Sequence, residues 1–113
     1  MTDRRFAVVW TEVAVRDVER VAAYLETEGS GRAEQIVDRI LSRGESLERS
    51  PHRGRRLPEL RSIGDRTWRE VQERPWRIIY RIVGDHTVEI HGVLDGRRSL
   101  EDILLERLLD PSS

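Results

Sequence analysis

The run Trp76–Val83 is the segment of this 113-residue chain best suited to bind a charged ligand. Because successive side chains of a strand point to opposite faces, Arg77 and Arg81 lie on one face and Tyr80 lies on the other. Guanidinium groups bind phosphates and carboxylates through paired hydrogen bonds. Two arginines on a central strand therefore predict a binding surface for such groups. The competing interpretation is a solvated sheet face whose arginines pair with Asp or Glu.

The charge of the chain is unevenly distributed, with arginine concentrated in its middle. The sequence carries 20 basic and 21 acidic residues, for a net charge of −1, and every basic residue is an arginine. Residues 51–81 hold nine of these arginines against four acidic residues. We expect arginines of the 53–66 segment, together with Arg97 and Arg98, to extend the surface around Arg77 and Arg81.

Most other site chemistries are excluded by composition or spacing. The chain has no cysteine and no lysine, which removes thiolate nucleophiles, cysteine metal sites, Schiff bases and phosphate-loop lysines. Its three histidines, His52, His86 and His91, lack the spacing of a metal site, so we predict no metal and no cofactor. His91 alternates with Glu89 and Val93 along a predicted strand, and we interpret it as a structural residue.

The elements that must position the arginines begin with a short strand and two helices. Residues 6–10 form an apolar run, rich in β-branched and aromatic side chains, that predicts a strand. Thr11 is the expected N-cap of a helix whose apolar stripe comprises Ala14, Val18, Val21, Ala22 and Leu25. Residues 29–31, Gly-Ser-Gly, end this helix, and a second amphipathic helix is predicted from about residue 32 to Glu48. The short link makes the two helices an antiparallel hairpin.

The second half of the chain is dominated by strands. An irregular connection over residues 51–58, with two prolines and a glycine, leads to predicted strands at 67–73, 76–83 and 87–94. Gly84-Asp85 is the predicted two-residue turn between the last two strands. A short C-terminal helix is predicted to start at Ser99, with more apolar residues than one stripe needs: Leu100, Ile103, Leu104, Leu105, Leu108 and Leu109.

This order of elements predicts an α+β fold. The helices come together instead of alternating with strands, so we expect a helical hairpin packed on one face of a small antiparallel sheet, with a short C-terminal helix. By its length, the chain forms a single domain over residues 1–113. The apolar run after Arg5 has five residues, which is too short for a signal peptide or a membrane span, so we expect a cytoplasmic protein.

Four short motifs, in this order, resemble toxins of the ParE/RelE superfamily. The first is WTEVA at residues 10–14, followed by DVERVAAYL at 17–25. The second is PHRGRRLPEL at 51–60, and the third combines REV at 69–71 with RPWRIIYR at 74–81. The last is VLDGRR at 93–98. The resemblance covers about residues 6–100, and the fold of the superfamily is the helical hairpin on a sheet that periodicity predicts independently.

The resemblance implies the toxin of a type II toxin–antitoxin pair, and two observations favour the ParE-like branch, which poisons DNA gyrase. RelE-like toxins cleave mRNA on the ribosome with the help of a Tyr or His near the end of the sheet, whereas residues 95–98 are Asp-Gly-Arg-Arg. A net charge of −1 also fits ribosome binding poorly. We therefore expect a toxin without a catalytic acid or base that stabilises the cleaved-DNA complex of gyrase. The candidates for target contact are Arg69, Arg77, Arg81, Arg97 and Arg98.

Two alternatives stay open. The first is a RelE-like, ribosome-dependent mRNA endonuclease, in which Arg77, Tyr80 and Arg81 would stabilise the phosphate without a good general base. The second is a degenerate domain that persists only to bind an antitoxin. Sequence-specific nucleic-acid binding by this chain alone is not expected.

The resemblance also implies a partner, a small ParD-like antitoxin whose C-terminal segment folds on an apolar surface of this chain. The candidate contact residues lie on the first helix and on the predicted C-terminal helix: Val18, Val21, Leu25, Leu104 and Leu108. An acidic antitoxin segment would suit the arginines of residues 51–81.

Overall fold

The structure is a computed structural model that describes residues 5–97. The predicted C-terminal helix, and with it Arg98, Leu104 and Leu108, lies outside the described residues. The elements are, in chain order, strand β1 (Ala7–Trp10), helices α1 (Glu12–Glu28) and α2 (Ala33–Glu45), and strands β2 (Arg55–Arg56), β3 (Trp68–Glu73), β4 (Trp76–Val83) and β5 (Thr87–Asp95). Short 3-10 turns occur at Ser46–Glu48 and Pro58–Ile63. The α+β class is confirmed.

The five strands form one sheet in the order β1-β5-β4-β3-β2. The strands β3, β4 and β5 pair antiparallel, as predicted. The two-residue strand β2, which lies in the predicted irregular connection and was not expected, pairs antiparallel with β3. By contrast, β1 runs parallel to β5. The sheet is therefore mixed, and the expectation of a purely antiparallel sheet was wrong at β1. A four-residue apolar run alternates in the same way in either pairing, so its pattern carries no information on strand direction.

The two helices begin and end close to where the sequence predicts. Thr11 caps α1, and its hydroxyl oxygen accepts a hydrogen bond from the backbone N–H of Ala14 at 3.3 Å. Gly29 ends α1 in the left-handed conformation, with φ of 69°. The regular part of α2 stops at Glu45, and the remaining three residues predicted as helix form a 3-10 turn, a common ending for a helix.

The core lies between the helical hairpin and one face of the sheet. As predicted, the alternate side chains of β4 that include Ile78 and Tyr80 face this core, and both residues are fully buried. The helices contribute their apolar stripes, which include Val18, Val21 and Leu25. We call this the helix face of the sheet and the other side the second face.

A bulge in β5 changes which of its side chains share a face. Ile79 pairs with Gly92 and Tyr80 pairs with Ile90, so His91 is the additional residue of β5 at this bulge. The sequence predicts that Glu89, His91 and Val93 point to the same face of the sheet. This prediction was wrong for Val93, whose side chain lies in the core.

The turn between β4 and β5 also differs from the prediction. Val83 pairs with Thr87, which leaves the three residues from Gly84 to His86 in the loop, one more than expected.

Side-chain contacts fix both helices to the sheet. Asp17 of α1 is buried, and its Oδ2 accepts a hydrogen bond from the backbone N–H of Val93 at 3.0 Å, beyond the point where β1 ends. On α2, Gly44 is buried against Trp10, whose indole Nε1 donates to Glu45 at 2.8 Å. A Cβ atom on Gly44 would lie 2.6 Å from Cη2 of Trp10 and closer still to Cζ2, so glycine permits this approach.

Candidate functional site

The second face of the sheet carries most of the predicted binding residues. Leu57 and Ile79 form a small buried apolar cluster there, and Leu60 from the 3-10 turn at Pro58–Ile63 packs against it. This turn begins where the predicted irregular connection at residues 51–58 ends, in a stretch for which no element was predicted, and it covers part of the face. The polar side chains around the cluster belong to Glu59, Glu70, Arg77, Arg81, Glu89 and His91.

Arg77 lies at the centre of a buried ion-pair network. Its two terminal nitrogens donate to the two carboxylate oxygens of Glu59 at 2.6 and 2.9 Å. Its Nε donates to Oε2 of Glu70 at 3.0 Å, and Nη2 contacts the same oxygen. The hydrogen bonds to Glu59 and Glu70 raise the pKa of Arg77, and the hydrogen bond from Arg77 lowers the pKa of Glu59.

Glu70 is the innermost member of this network. Its side chain is fully buried and also accepts hydrogen bonds from Arg55 at 3.3 Å and from Gln72 at 3.2 Å. The charge of Arg77 is thus compensated by two carboxylates, and its side chain is only 9% exposed. The arrangement holds β2, β3, β4 and the 3-10 turn together, and it leaves Arg77 little capacity for an external phosphate.

The pH dependence of stability provides a test of the Glu59–Arg77 pair. The folded pKa of Glu59 lies below the ordinary value of 4.5, so the pair contributes stability above that pH and loses it as the pH falls through the folded pKa. We expect Glu59→Gln to flatten the decline in the free energy of unfolding, measured by urea denaturation, as the pH falls below about 5, by no more than about 1 kcal/mol because Glu59 is partly exposed. Glu34→Gln, on an exposed position of α2, is the control, and equal pH profiles for the two variants would contradict the pairing.

Tyr80 connects the segment after α2 to the core. Its hydroxyl donates to the carbonyl of Pro51 at 2.7 Å and accepts from the backbone N–H of Gly54 at 3.0 Å. The side chain is completely buried, and this burial raises the pKa of the Tyr80 hydroxyl. Both hydrogen-bonding functions of the hydroxyl are therefore used inside the protein.

Arg69 of β3 also binds the segment after α2, and its side chain lies on the helix face. It pairs across the ladder with Tyr80, and its guanidinium donates to the carbonyls of His52 and Gly54 at 3.2 and 2.9 Å. Residues of the second and third resemblance motifs thus bind one another. This clustering gives Pro51, Gly54, Arg69 and Tyr80 a structural role that explains their presence in the motifs.

A second polar cluster, on the second face, combines residues of three strands. Trp68, Arg81 and Glu89 are direct neighbours across β3, β4 and β5. The Arg81 guanidinium lies 5.3 Å from the Trp68 ring centre, and its Nε donates to Glu89 at 3.0 Å. His91 Nε2 is 2.9 Å from the same oxygen of Glu89, and the His91 ring meets the edge of Trp68. Hydrogen bonds from His91 and Arg81 lower the pKa of Glu89.

Sequence reasoning missed this cluster of Trp68, Arg81, Glu89 and His91 as a unit. The positions of Glu89 and His91, two apart on one strand, were the available signal, because they place both side chains on the same face. Their meeting with Arg81 and Trp68 depends on the register of three strands. The side chains of Arg81, Glu89 and His91 are 27–39% exposed, so the cluster is accessible from solvent.

The predicted arginine surface is not assembled by the described residues. Arg77 is buried in its ion-pair network, Arg81 is paired with Glu89, and Arg69 lies on the opposite side of the sheet. Arg97 follows β5 and donates two hydrogen bonds to Asp95, at 3.0 and 2.8 Å. The expectation of one continuous surface was wrong, because strand alternation separates Arg69 from the others and acidic neighbours occupy the guanidinium groups.

The described antitoxin candidates are core residues. Val18, Val21 and Leu25 are only 5–8% exposed, because the stripe of α1 that contains them packs on the sheet. Within residues 5–97, the large apolar residues that do reach the surface are others: Val9, Val15, Tyr24, Leu41, Ile63 and Val83.

Residues 5–97 contain neither a metal-ion site nor a membrane-spanning helix. In this part of the chain no group of His, Asp and Glu side chains is arranged to hold a metal ion. None of the helices described here is both long enough and apolar enough to cross a membrane.

Comparison with known proteins gives a family match and two similar folds. The model of the family described as the ParE toxin of the type II toxin–antitoxin system parDE matches residues 8–100. A chain of the RelBE2 toxin–antitoxin complex from Mycobacterium tuberculosis is similar at 23% identity and a TM-score of 0.61, over 83% of this chain and 94% of that one. A chain of the chromosomal ParDE system from P. aeruginosa is similar at 20% identity and a TM-score of 0.64, over 80% and 96%. None of the curated proteins matches significantly in sequence.

Proposed function

The chain belongs to the family of ParE toxins of type II toxin–antitoxin systems, and we propose that it inhibits DNA gyrase by stabilising the cleaved-DNA complex of that enzyme. A ParD-like antitoxin would neutralise it by binding its surface. The two similar structures named above come from toxin–antitoxin systems, which supports the antitoxin partner.

The observation that carries this proposal is the internal use of Arg77 and Tyr80. In an RNase of this fold, we would expect these side chains to reach the scissile phosphate. Here the guanidinium of Arg77 is bound by Glu59 and Glu70, and the hydroxyl of Tyr80 is bound by Pro51 and Gly54. Both residues are buried, which favours a toxin that acts by binding its target.

A gyrase assay tests the proposal directly. The purified chain is incubated with gyrase, plasmid and ATP, the reaction is denatured and treated with protease, and linear DNA is measured on a gel. We expect linear product to rise with toxin concentration and to disappear when the antitoxin is added first. Plasmid without gyrase is the control for a contaminating nuclease. If excess toxin neither yields linear DNA nor inhibits supercoiling, the gyrase proposal is wrong.

The cluster around His91 supports one alternative, the ribosome-dependent mRNA endonuclease. Histidine is the side chain that most often serves as general base or acid, the imidazole of His91 is held by Glu89, and Arg81 supplies a positive charge beside it. In this alternative, His91 would transfer the proton, since residues 95–98 contain no Tyr or His that could do so. The net charge of −1 is the observation against this function.

A ribosome-programmed cleavage assay distinguishes the alternative from the gyrase proposal. If the protein cleaves translated mRNA, we expect His91→Gln and Arg81→Ala to lower the cleavage rate by 10-fold or more. Arg77→Ala is unsuitable as a probe because we expect the loss of its buried ion pair with Glu70 to destabilise the fold. Val15→Ala, at an exposed position of α1, is the matched control. Cleavage that is independent of His91 and Arg81 would exclude this cluster as the site.

A further inference from the structure

The β2 end of the sheet carries a concentration of arginines that the site described above does not use. Residues 52–66, which comprise β2 and the 3-10 turn at Pro58–Ile63, contain five arginines and two acidic residues. Among the described strands, β2 is the last in the order of the sheet. All five arginines are exposed, and we call them the arginine edge: Arg53, Arg55, Arg56, Arg61 and Arg66.

Most of the positive charge at the arginine edge is not compensated by carboxylates of the described residues. Arg55 donates to Glu70 at 3.3 Å and is still 56% exposed. Within residues 5–97 the other four arginines of the edge form no ion pair. Of the two acidic residues of the segment, Glu59 is held by Arg77, and Asp65 accepts a hydrogen bond from a backbone N–H at 2.8 Å. The edge therefore keeps an excess of positive charge.

The acidic residues of the neighbouring elements leave this excess in place. Glu70 is completely buried in its ion-pair network, and Glu73 of β3 pairs with Arg43 of α2 at 3.4 Å. Both members of this second pair border a groove of about 390 Å³ beside Arg53. The groove is lined by one further charged residue of each sign, Arg39 and Asp38. On this side too, arginines outnumber carboxylates.

Hydrogen-bond donors of the arginine edge are positioned for an external acceptor. Nη1 of Arg56 donates to the backbone carbonyl of Arg66 at 2.6 Å, which fixes the guanidinium without neutralising its charge. The N–H of Leu57 donates to β3, so by alternation the N–H of Arg56 points away from that strand. Arginine side chains and backbone N–H groups are frequent donors to phosphate oxygens in protein–DNA complexes.

We propose that the arginine edge binds the phosphate backbone of duplex DNA without reading its sequence. Successive side chains of a strand point to opposite faces, so a ligand that contacts both Arg55 and Arg56 must lie along the edge, as a rod-like duplex can. The choice of DNA over RNA or an acidic protein segment rests on the proposed function, in which the bound molecule is the DNA held by gyrase. Because the net charge of the chain is −1, we expect weak binding by the chain alone, with a Kd of about 10⁻⁴–10⁻⁶ M.

Fluorescence anisotropy with a labelled DNA duplex of arbitrary sequence, in the absence of gyrase, tests this inference. We expect the association constant to fall about 100-fold between about 50 and 200 mM salt, as for about four phosphate contacts. Arg53→Ala combined with Arg61→Ala should lower the affinity at least about tenfold at the lower salt concentration. Both side chains are exposed, so we expect this double variant to keep the urea midpoint of the native protein.

A second double variant, Arg16→Ala with Arg32→Ala, is the matched control. It removes the same charge from exposed positions of the helical hairpin, and it should change the affinity by less than about threefold. Equal losses in the two double variants would mean that binding follows net charge and not the arginine edge, which overturns the inference.

Failure of this inference is distinguishable from failure of the gyrase proposal. Salt-dependent binding that is lost in the Arg53 and Arg61 variant supports the inference even if gyrase is not inhibited. The inference is overturned if the native chain does not bind DNA at low salt, or if it binds an RNA duplex or polyglutamate more tightly. It is also overturned, with the gyrase proposal left intact, if the same variant yields as much linear DNA as the native chain in the gyrase assay.

Discussion

Replacing Arg77 with alanine is expected to lower the free energy of unfolding by about 3–5 kcal/mol, the range for breaking a buried ion pair from one side. The reason is the position of Glu70, whose side chain is completely inaccessible to solvent. Without Arg77, this carboxylate keeps only the hydrogen bonds from Arg55 and Gln72, at 3.3 and 3.2 Å. It must then stay charged with too few partners or take up a proton, and both cost stability.

Urea denaturation, monitored by tryptophan fluorescence, measures the loss in the free energy of unfolding. Arg81→Ala is the matched control. Arg81 lies on the same strand and the same face as Arg77, but its side chain is 39% exposed and its partner Glu89 is 27% exposed. We expect this control to lose no more than about 1 kcal/mol. Equal losses for the two variants would mean that burial of the network does not determine its energy.

The Arg77 prediction also affects how toxicity experiments are interpreted. An Arg77→Ala variant that no longer inhibits growth would be expected whether the toxin binds gyrase or cleaves mRNA, because in both cases less folded protein is present. Variants at Arg81 and His91 are more informative, since both side chains are partly exposed. Loss of activity there, with an unchanged urea midpoint, indicates a direct role.

The parts of the fold that follow from local pattern were predictable from the sequence. The stripe of α1 and its cap at Thr11 depend on spacing within a few residues, and the structure has both. The core face of β4 follows from alternation along one strand, and Ile78 and Tyr80 occupy it. The class of the protein follows from the order of its motifs, and the family match over residues 8–100 confirms it.

The parts that depend on register between distant segments were not predictable in this way. The partners of Arg77 are Glu59 and Glu70, 18 and 7 residues away along the chain, and nothing in the spacing of these residues marks them as a network. The bulge at His91 adds one residue to β5 and shifts the alternation after it. The predicted arginine surface was inferred from arginine content alone. In the structure it is divided, because carboxylates that lie next to Arg77 and Arg81 pair with them.

Gly54→Ala is the second substitution for which we expect a large effect, a loss of about 3 kcal/mol of stability from overpacking and disrupted hydrogen bonds. A Cβ atom at this position would lie 2.7 Å from the backbone oxygen of Glu70 and 2.7 Å from Cε1 of Tyr80, and closer still to the tyrosine hydroxyl. The segment at residues 51–54 must therefore move away. That movement breaks the two hydrogen bonds by which Tyr80 holds Pro51 and Gly54.

The urea midpoint measures this loss, and Arg53→Ala is the control in the adjacent position. Arg53 is exposed, so its truncation is expected to change stability by no more than about 0.5 kcal/mol. Comparable losses for Arg53→Ala and Gly54→Ala would show that the segment tolerates displacement and that the contact with Tyr80 contributes little.

A double-mutant cycle with Tyr80→Phe separates the steric part of the effect from the hydrogen bonds. Removing the hydroxyl alone leaves the Pro51 carbonyl and the Gly54 N–H without their partner, at an expected cost of about 1–3 kcal/mol. It also removes the atom nearest to the added methyl group, so Gly54→Ala should cost less in the Tyr80→Phe background than in the native protein. If the two losses are additive, the methyl group clashes mainly with the backbone of Glu70, and Tyr80 is not the residue that requires glycine at position 54.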